Sequence, residues 1–276
     1  MAVLLASLAA IAYGLSDFLG GLVSRRTSGW AVAVLGQIAS TICTAGVALF
    51  RDGDPTGVDF AWGALAGIGG GLGTGFLYRG LATGRMGVVA PVSAVGAAVV
   101  PVVAGAAGGE RPALLVWLGI LAALPGVWLV STEPAGEAGS IAAGLVDGVL
   151  AGLGFGLLFA AVGQVPDGSG MWPLTLAQGV SALAAVAMAT ALGAPWVPRE
   201  RVAAWAVLVG SLGAAAGVLF LLATQHGYLT VAGVITSLYP AATVLLAVAV
   251  LREHVHAVQV AGLALCGVAI ALVAVG

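Results

Sequence analysis

Apolar runs of about 20 residues alternate with short polar breaks along the whole chain. Charges, prolines and polar clusters mark off ten such runs, at about 3–23, 30–50, 61–80, 87–107, 113–131, 141–162, 171–192, 202–223, 231–250 and 257–275. A helix rises 1.5 Å per residue, so each run is long enough to cross a hydrocarbon layer roughly 30 Å thick. The pattern predicts an all-α integral membrane protein of ten transmembrane helices. Its longest breaks are "RDGDPTGVD" after Phe50 and "TEPAGEAGS" after Ser131, and the second falls between the fifth and sixth runs.

That position is where a duplicated chain would have its seam, and the two halves resemble each other. At a separation of 143, Trp62 meets Trp205, Gly67 meets Gly210, Glu110 meets Glu253 and Gly119 meets Gly262; at 142, Gly14 meets Gly156 and Trp30 meets Trp172. Glycine matches are cheap among 44 glycines, but the chain has only seven tryptophans and eleven acids, so the Trp and Glu pairs carry weight. Residues 1–134 and 140–276 are therefore expected to be two five-helix repeats. An odd number of crossings makes the second copy enter from the opposite face, giving the inverted-topology repeat found in many secondary transporters.

Composition agrees. The 276 residues are 61% hydrophobic and 7% charged, where a soluble domain carries about 25% charged residues. Net charge is −2 and no lysine occurs, so neither a nucleic-acid footprint nor a polybasic lipid-binding segment is expected. The lipid bilayer is an implied partner. Cys43 and Cys266 fall in apolar runs and read as small buried hydrophobes. His226, His254 and His256 lie near run ends without metal-ligand spacing, so neither a metal site nor a cofactor is expected, and no nucleophile motif points to an enzyme.

Few polar groups interrupt the runs. In "AIAYGLSDFLGGLVSRR" a helical wheel puts Tyr13, Gly14, Asp17, Gly20 and Gly21 on one face and Leu8, Ile11, Leu15 and Leu22 on the other. Asp17 lies about 6 Å from the middle of its run. An ionised carboxylate near that depth costs about 2.5 to 3.5 kcal/mol to insert, so it must be paired, protonated or hydrated. It is a candidate proton acceptor or cation-recognition group, with Arg79 or a serine hydroxyl as the structural alternative. Asp147, in "GLVDGVLAG", falls in the same half of the membrane, either sharing a site with Asp17 or acting as an interfacial acid near a helix N-terminus.

Gln37 and Gln178 are nearly repeat-related and are candidates for substrate contact or interhelical hydrogen bonding. Tyr13, Tyr78, Ser93 and Tyr239 offer hydroxyls beside apolar bodies, suited to a cavity for a small amphipathic solute. The run "GALAGIGGGLGTG" lacks the G-K-[ST] ending of a phosphate-binding loop; its Gly63, Gly67, Gly71 and Gly75 form a ladder at four-residue spacing that lets a helix approach closely.

The segments "GRMGVVAPVSAVGAAVVPVVAGAAGGERPALLVWLGILAALPGVWLV" and "HGYLTVAGVITSLYPAATVLLAVAVLREHVHAVQVAGLALCGVAIALVA" resemble the Pro-bearing helix, terminal Glu and Gly-rich final helix of EamA-type proteins of the drug/metabolite transporter superfamily. The resemblance covers nearly the whole chain. It implies paired five-helix repeats around a central cavity in the plasma membrane, with transport of a small metabolite and export rather than uptake. Glu110 and Glu253 match the terminal Glu of the repeat motif; lying at run ends, they read as anchoring or capping groups. Pro91 and Pro101 have no counterparts in the second copy and Pro240 has none in the first, so equal bending of the halves is not implied.

The expected function is alternating-access transport of a small organic solute, with protons as a further coupling partner through Asp17; a facilitative or exchange carrier without proton coupling is the alternative, and a membrane-embedded enzyme the alternative of a different class. Orientation divides the expectations. Arg25, Arg26, Arg79, Arg85, Arg199, Arg201 and Arg252 fall on one face, against Arg51 and Arg111 on the other. The positive-inside rule then places both termini outside, whereas the resemblance implies termini inside.

Overall fold

The computed structural model describes residues 1–83, 86–132, 141–252 and 256–276; Arg85, Glu253 and His254 lie outside them. The apolar runs become helices α1 (Ala2–Ser24), α2 (Gly29–Leu49), α3 (Gly57–Thr83), α4 (Met86–Ala107), α5 (Leu114–Ser131), α6 (Ile141–Val162), α7 (Trp172–Ala191), α8 (Ala206–Gln225), α9 (Leu229–Thr236), α10 (Tyr239–Leu251) and α11 (Ala257–Val275). Among the described residues ten spans are long and apolar enough to cross a membrane, α9 and α10 together making one. The polar breaks supply the stops. At the start of α3, Asp59 accepts from the N–H and the hydroxyl of Thr56 at 2.8 and 2.9 Å, satisfying donors that a helix start leaves open.

Two inverted five-helix repeats pack about a pseudo-two-fold. With α1, α2, α3, α4 and α5 matched to α6, α7, α8, α9–α10 and α11, nearly every packed pair has its mirror. Helix α3 lies on α6 as α1 lies on α8; α3 lies on α7 as α2 lies on α8; α4 lies on α6 as α1 lies on α9 and α10. The pairs α2–α7, α5–α11 and α4–α9 map onto themselves.

The glycines that match between halves sit at these mirrored contacts. A Cβ on Gly67 would lie 2.5 Å from the Ala177 carbonyl of α7, and one on Gly210 would collide with the Gly36 carbonyl of α2. Gly119 and Gly262 face each other's helices across α5 and α11. Backbone approach of this closeness excludes any larger side chain, which is why these positions match where lipid-facing ones do not.

The loops mirror each other too. Asp54 donates its N–H to the Gly168 carbonyl at 2.9 Å at one end of the bundle. At the other end the Ser28 hydroxyl donates to the Pro195 carbonyl and the Thr27 hydroxyl to Glu200 at 2.5 Å. That last bond holds the exposed Glu200 carboxyl below its ordinary range.

One departure from symmetry matters. Helix α4 runs unbroken through Pro91 and Pro101, but the expected single helix at 231–250 is two, interrupted at Ser237 and Leu238, with Pro240 in the first turn of α10. Proline lacks the N–H and its ring crowds the turn before it, and Pro240 stands in the first turn of α10, where no helix hydrogen bond needs that N–H. Every residue of α9 is buried and none of α10 is. The dense packing lies at the α9 end, with Phe220, Leu221, Met171 and Ile235 almost fully buried. Span nine is thus enclosed at its α9 end, the sealed end of its path, and open along α10, in the half that carries Arg25 and Arg26.

Candidate functional site

Ser16 donates its hydroxyl to the Val209 carbonyl of α8 at 2.9 Å, and Gly20 also faces Val209. On the other flank Gly14 meets α10, where the Thr243 hydroxyl donates to the Gly14 carbonyl at 3.1 Å. Asp17 projects between these two contacts. The exposed Leu4, Leu8 and Ile11 occupy the far side of α1 and form its lipid-facing stripe. Asp17 is therefore solvent-accessible on the side facing the bundle interior.

Around it stand tyrosines from three helices. Tyr13 precedes Asp17 by one turn on the same face, and Tyr13, Tyr78 of α3 and Tyr239 of α10 all lie within electrostatic reach of its carboxylate. The Tyr13 and Tyr239 rings are 6.3 Å apart, tilted by 58°. Tyr13 also meets Phe159 of α6 edge-on at 5.9 Å, and Phe159 meets Phe220 of α8 at 4.8 Å. Tyr78 rests on Trp30 of α2 at 5.5 Å. The break before α10 helps build this group, because it places Tyr239 at a helix start, against α1.

Asp147 has a different setting. It is 4% exposed and receives two hydrogen bonds from Arg79, Nε at 3.0 Å and Nη2 at 2.5 Å. Arg79 also stacks 4.8 Å over the Phe76 ring. The structural alternative for Asp17, pairing with Arg79, is thus overturned: Arg79 pairs with Asp147. Asp147 is buried between α6 and α3, where its Cβ would crowd any side chain at Gly80. The two aspartates thus resolve into an ion pair and a lone carboxyl among the described residues. Among the described residues nothing donates a hydrogen bond to Asp17 and no cation pairs with it.

The remaining candidates lie apart from this chamber. Gln37 donates to the Ser181 hydroxyl at 3.5 Å, tying α2 to α7, and Gln178 borders Gly217 of α8. Ser93 is buried against Gly152 of α6 with its hydroxyl turned back to the Ala90 carbonyl at 3.0 Å. The ladder Gly63, Gly67, Gly71 and Gly75 runs along α7, facing in turn Pro173, Ala177, Ala184 and Met188. Glu110 crosses to the other repeat: its two oxygens accept from the N–H groups of Leu229 at 2.5 Å and Thr230 at 2.9 Å, capping α9. A carboxylate there satisfies orphan donors and lies at the positive end of the helix dipole.

Sequence reasoning missed Trp30, Phe159 and Phe220 as neighbours of the chamber, since aromatic residues in apolar runs carry no mark of which face they line. A cavity of about 510 Å³ between Leu22, Arg26, Trp205 and Leu208 opens on the outward side of α1, away from Asp17.

The EamA-like transporter family model matches residues 1–132 and 142–275. A solved structure described as "Crystal structure of protein" superposes with a TM-score of 0.77 at 17% identity, covering 99% of this chain and 96% of that one, a likeness of fold. No curated protein matches the chain.

Proposed function

The chain belongs to the EamA-like transporter family, within the drug/metabolite transporter superfamily, and from that premise we propose that it exports a small organic solute across the plasma membrane by alternating access, coupled to protons through Asp17. The rocking units are residues 1–134 and 140–276. One observation carries this reading: span nine is buried throughout α9 and nowhere in α10, and the accessible Asp17 lies on the looser side of that boundary. A span enclosed in one half of the membrane and open in the other, within a bundle that has a pseudo-two-fold, fits one of the two states of a rocking carrier; the symmetry operation generates the other.

Asp17 suits coupling because it has no fixed counter-ion among the described residues. A carboxyl free to take either a proton or a solute changes the charge of the chamber at each exchange, which ties the two movements together. Arg79 and Asp147 hold α3 to α6 and contribute rigidity. Tyr13, Tyr78 and Tyr239 contribute the chamber wall.

Proteoliposomes test this. With an acidic interior and a pool of labelled amines, amino acids, sugars and nucleobases outside, the protein should accumulate one class as protons leave. Asp17→Asn should lose gradient-driven accumulation by about tenfold or more, a factor that corresponds to ~1.4 kcal/mol. Accumulation unaltered in Asp17→Asn would remove the coupling role and leave a carrier running by exchange.

A further inference from the structure

We propose that the solute recognised at Asp17 is an organic monocation, a primary amine or quaternary ammonium carried on a small apolar or aromatic body. This rests on the carrier reading above and deepens it. The first argument is the distribution of charge. Along α1 to α11 the charged side chains are Asp17, Asp59, Arg79 and Asp147. Asp59 closes the first turn of α3 with Thr56, and Asp147 is joined to Arg79. Among the described residues Asp17 is left as the one charge within the helices that has neither a hydrogen-bond donor nor an ion-pair partner.

The long helices packed against α1 offer it no counter-charge, and the cation of the short turn Arg201–Trp205 that also touches α1, Arg201, is exposed at the end of the bundle that carries Arg25 and Arg26. Helices α2, α8, α9, α10 and α11 contain no Asp, Glu, Lys or Arg. The titratable groups facing Asp17 are the phenols of Tyr13 on its own helix, Tyr239 on α10 and Tyr78 on α3. An anionic solute would meet a like charge, and the guanidinium that might receive it is already held by Asp147. A cation completes the chamber; an anion is repelled.

The second argument is the wall. A carboxylate set among aromatic rings is the arrangement that recognises ammonium groups, the acid supplying charge and the ring faces supplying quadrupole attraction. The aromatic series continues from Tyr239 through Tyr13 and Phe159 to Phe220. It leads away from the carboxylate toward the sealed end, so the ammonium would sit at Asp17 with the apolar body along these rings. Protons compete for the same carboxylate.

Calorimetric titration of the full chain in lipid nanodiscs distinguishes the classes with matched probes: phenethylamine, phenyltrimethylammonium, 2-phenylethanol and phenylacetate. The two cations should bind at pH 8 at least about tenfold more tightly than the alcohol or the acid, and more weakly at pH 5. Asp17→Asn should lose that preference together with its pH dependence. Asp17→Glu, checked for an unchanged melting temperature, should keep both. Equal binding of 2-phenylethanol or phenylacetate, failure of both cations to bind the folded protein, or undiminished cation binding by Asp17→Asn overturns the proposal. Transport of a neutral or anionic solute with the cations inert overturns the cation class and leaves the carrier reading standing. Cation binding without movement across vesicles does the reverse.

Discussion

Arg79 commits two donors to one oxygen of Asp147, and that pairing decides what each aspartate can do. Asp147 is buried, so removing its partner strands a charge in the α3–α6 contact; such a loss costs about 3 to 5 kcal/mol when both partners are buried. Arg79 is 36% exposed, and water moderates the penalty. Arg79→Gln should therefore lower stability by roughly 1 to 3 kcal/mol, and adding Asp147→Asn should restore part of it. Urea or thermal unfolding of the single and double variants in detergent measures this; a double variant no more stable than the single would show that the pair is not what matters there. Asp17 predicts the opposite: Asp17→Asn should leave stability nearly unchanged, because no described partner is lost. In sequence both were acids inside apolar runs, in the same half of the membrane. Only the lateral neighbour separates them, and a sequence does not show which helix lies alongside.

Among the elements, the contacts that define the fold are close approaches between matched helices. A side chain at Gly67 would press on the Ala177 carbonyl and Val180 of α7, so Gly67→Leu should destabilise by about 1 to 3 kcal/mol or force α3 from α7. Gly21 has nothing within 4 Å of an added Cβ. There Gly21→Ala should stabilise α1 by up to ~1 kcal/mol through helix propensity alone, and both shifts appear in one thermal-unfolding series. The Gly ladder was legible beforehand because four-residue spacing puts its members on one helical face. The break in span nine was legible only as Pro240. Pro91 and Pro101 look the same in sequence and leave α4 continuous, so the decisive factor is what packs around each proline. Pro240→Ala should let α9 and α10 join; solute exchange should then slow while solute affinity holds, as stopped-flow and equilibrium titrations would show.

For the whole molecule, Glu110 is the connection of most consequence. It leaves the end of α4 and caps α9 of the opposite repeat, tying the halves together at the sealed end. Glu110→Ala removes two charge-assisted bonds and a favourable dipole contact, together worth about 1 to 2 kcal/mol. The sealed end should open more often. A cysteine introduced at the buried Val231 should then react with a polar maleimide about tenfold faster in the Glu110→Ala background. An unchanged labelling rate would mean that the cap stabilises α9 without governing closure.

The sequence by itself determined a ten-span membrane protein, its duplication and inversion, and the scarcity of charge that makes Asp17 conspicuous. These follow from hydrophobic length, odd crossing number and composition, all of which are properties along the chain. Which helices touch, that Asp147 and not Asp17 holds Arg79, that Glu110 caps α9, and that one span breaks where its counterpart does not were decided by tertiary structure. Each depends on the distance between residues far apart in sequence. In an apolar environment hydrophobicity does not select among helix faces; backbone approach at glycine and a few hydrogen bonds do, and these exist only once the helices are assembled.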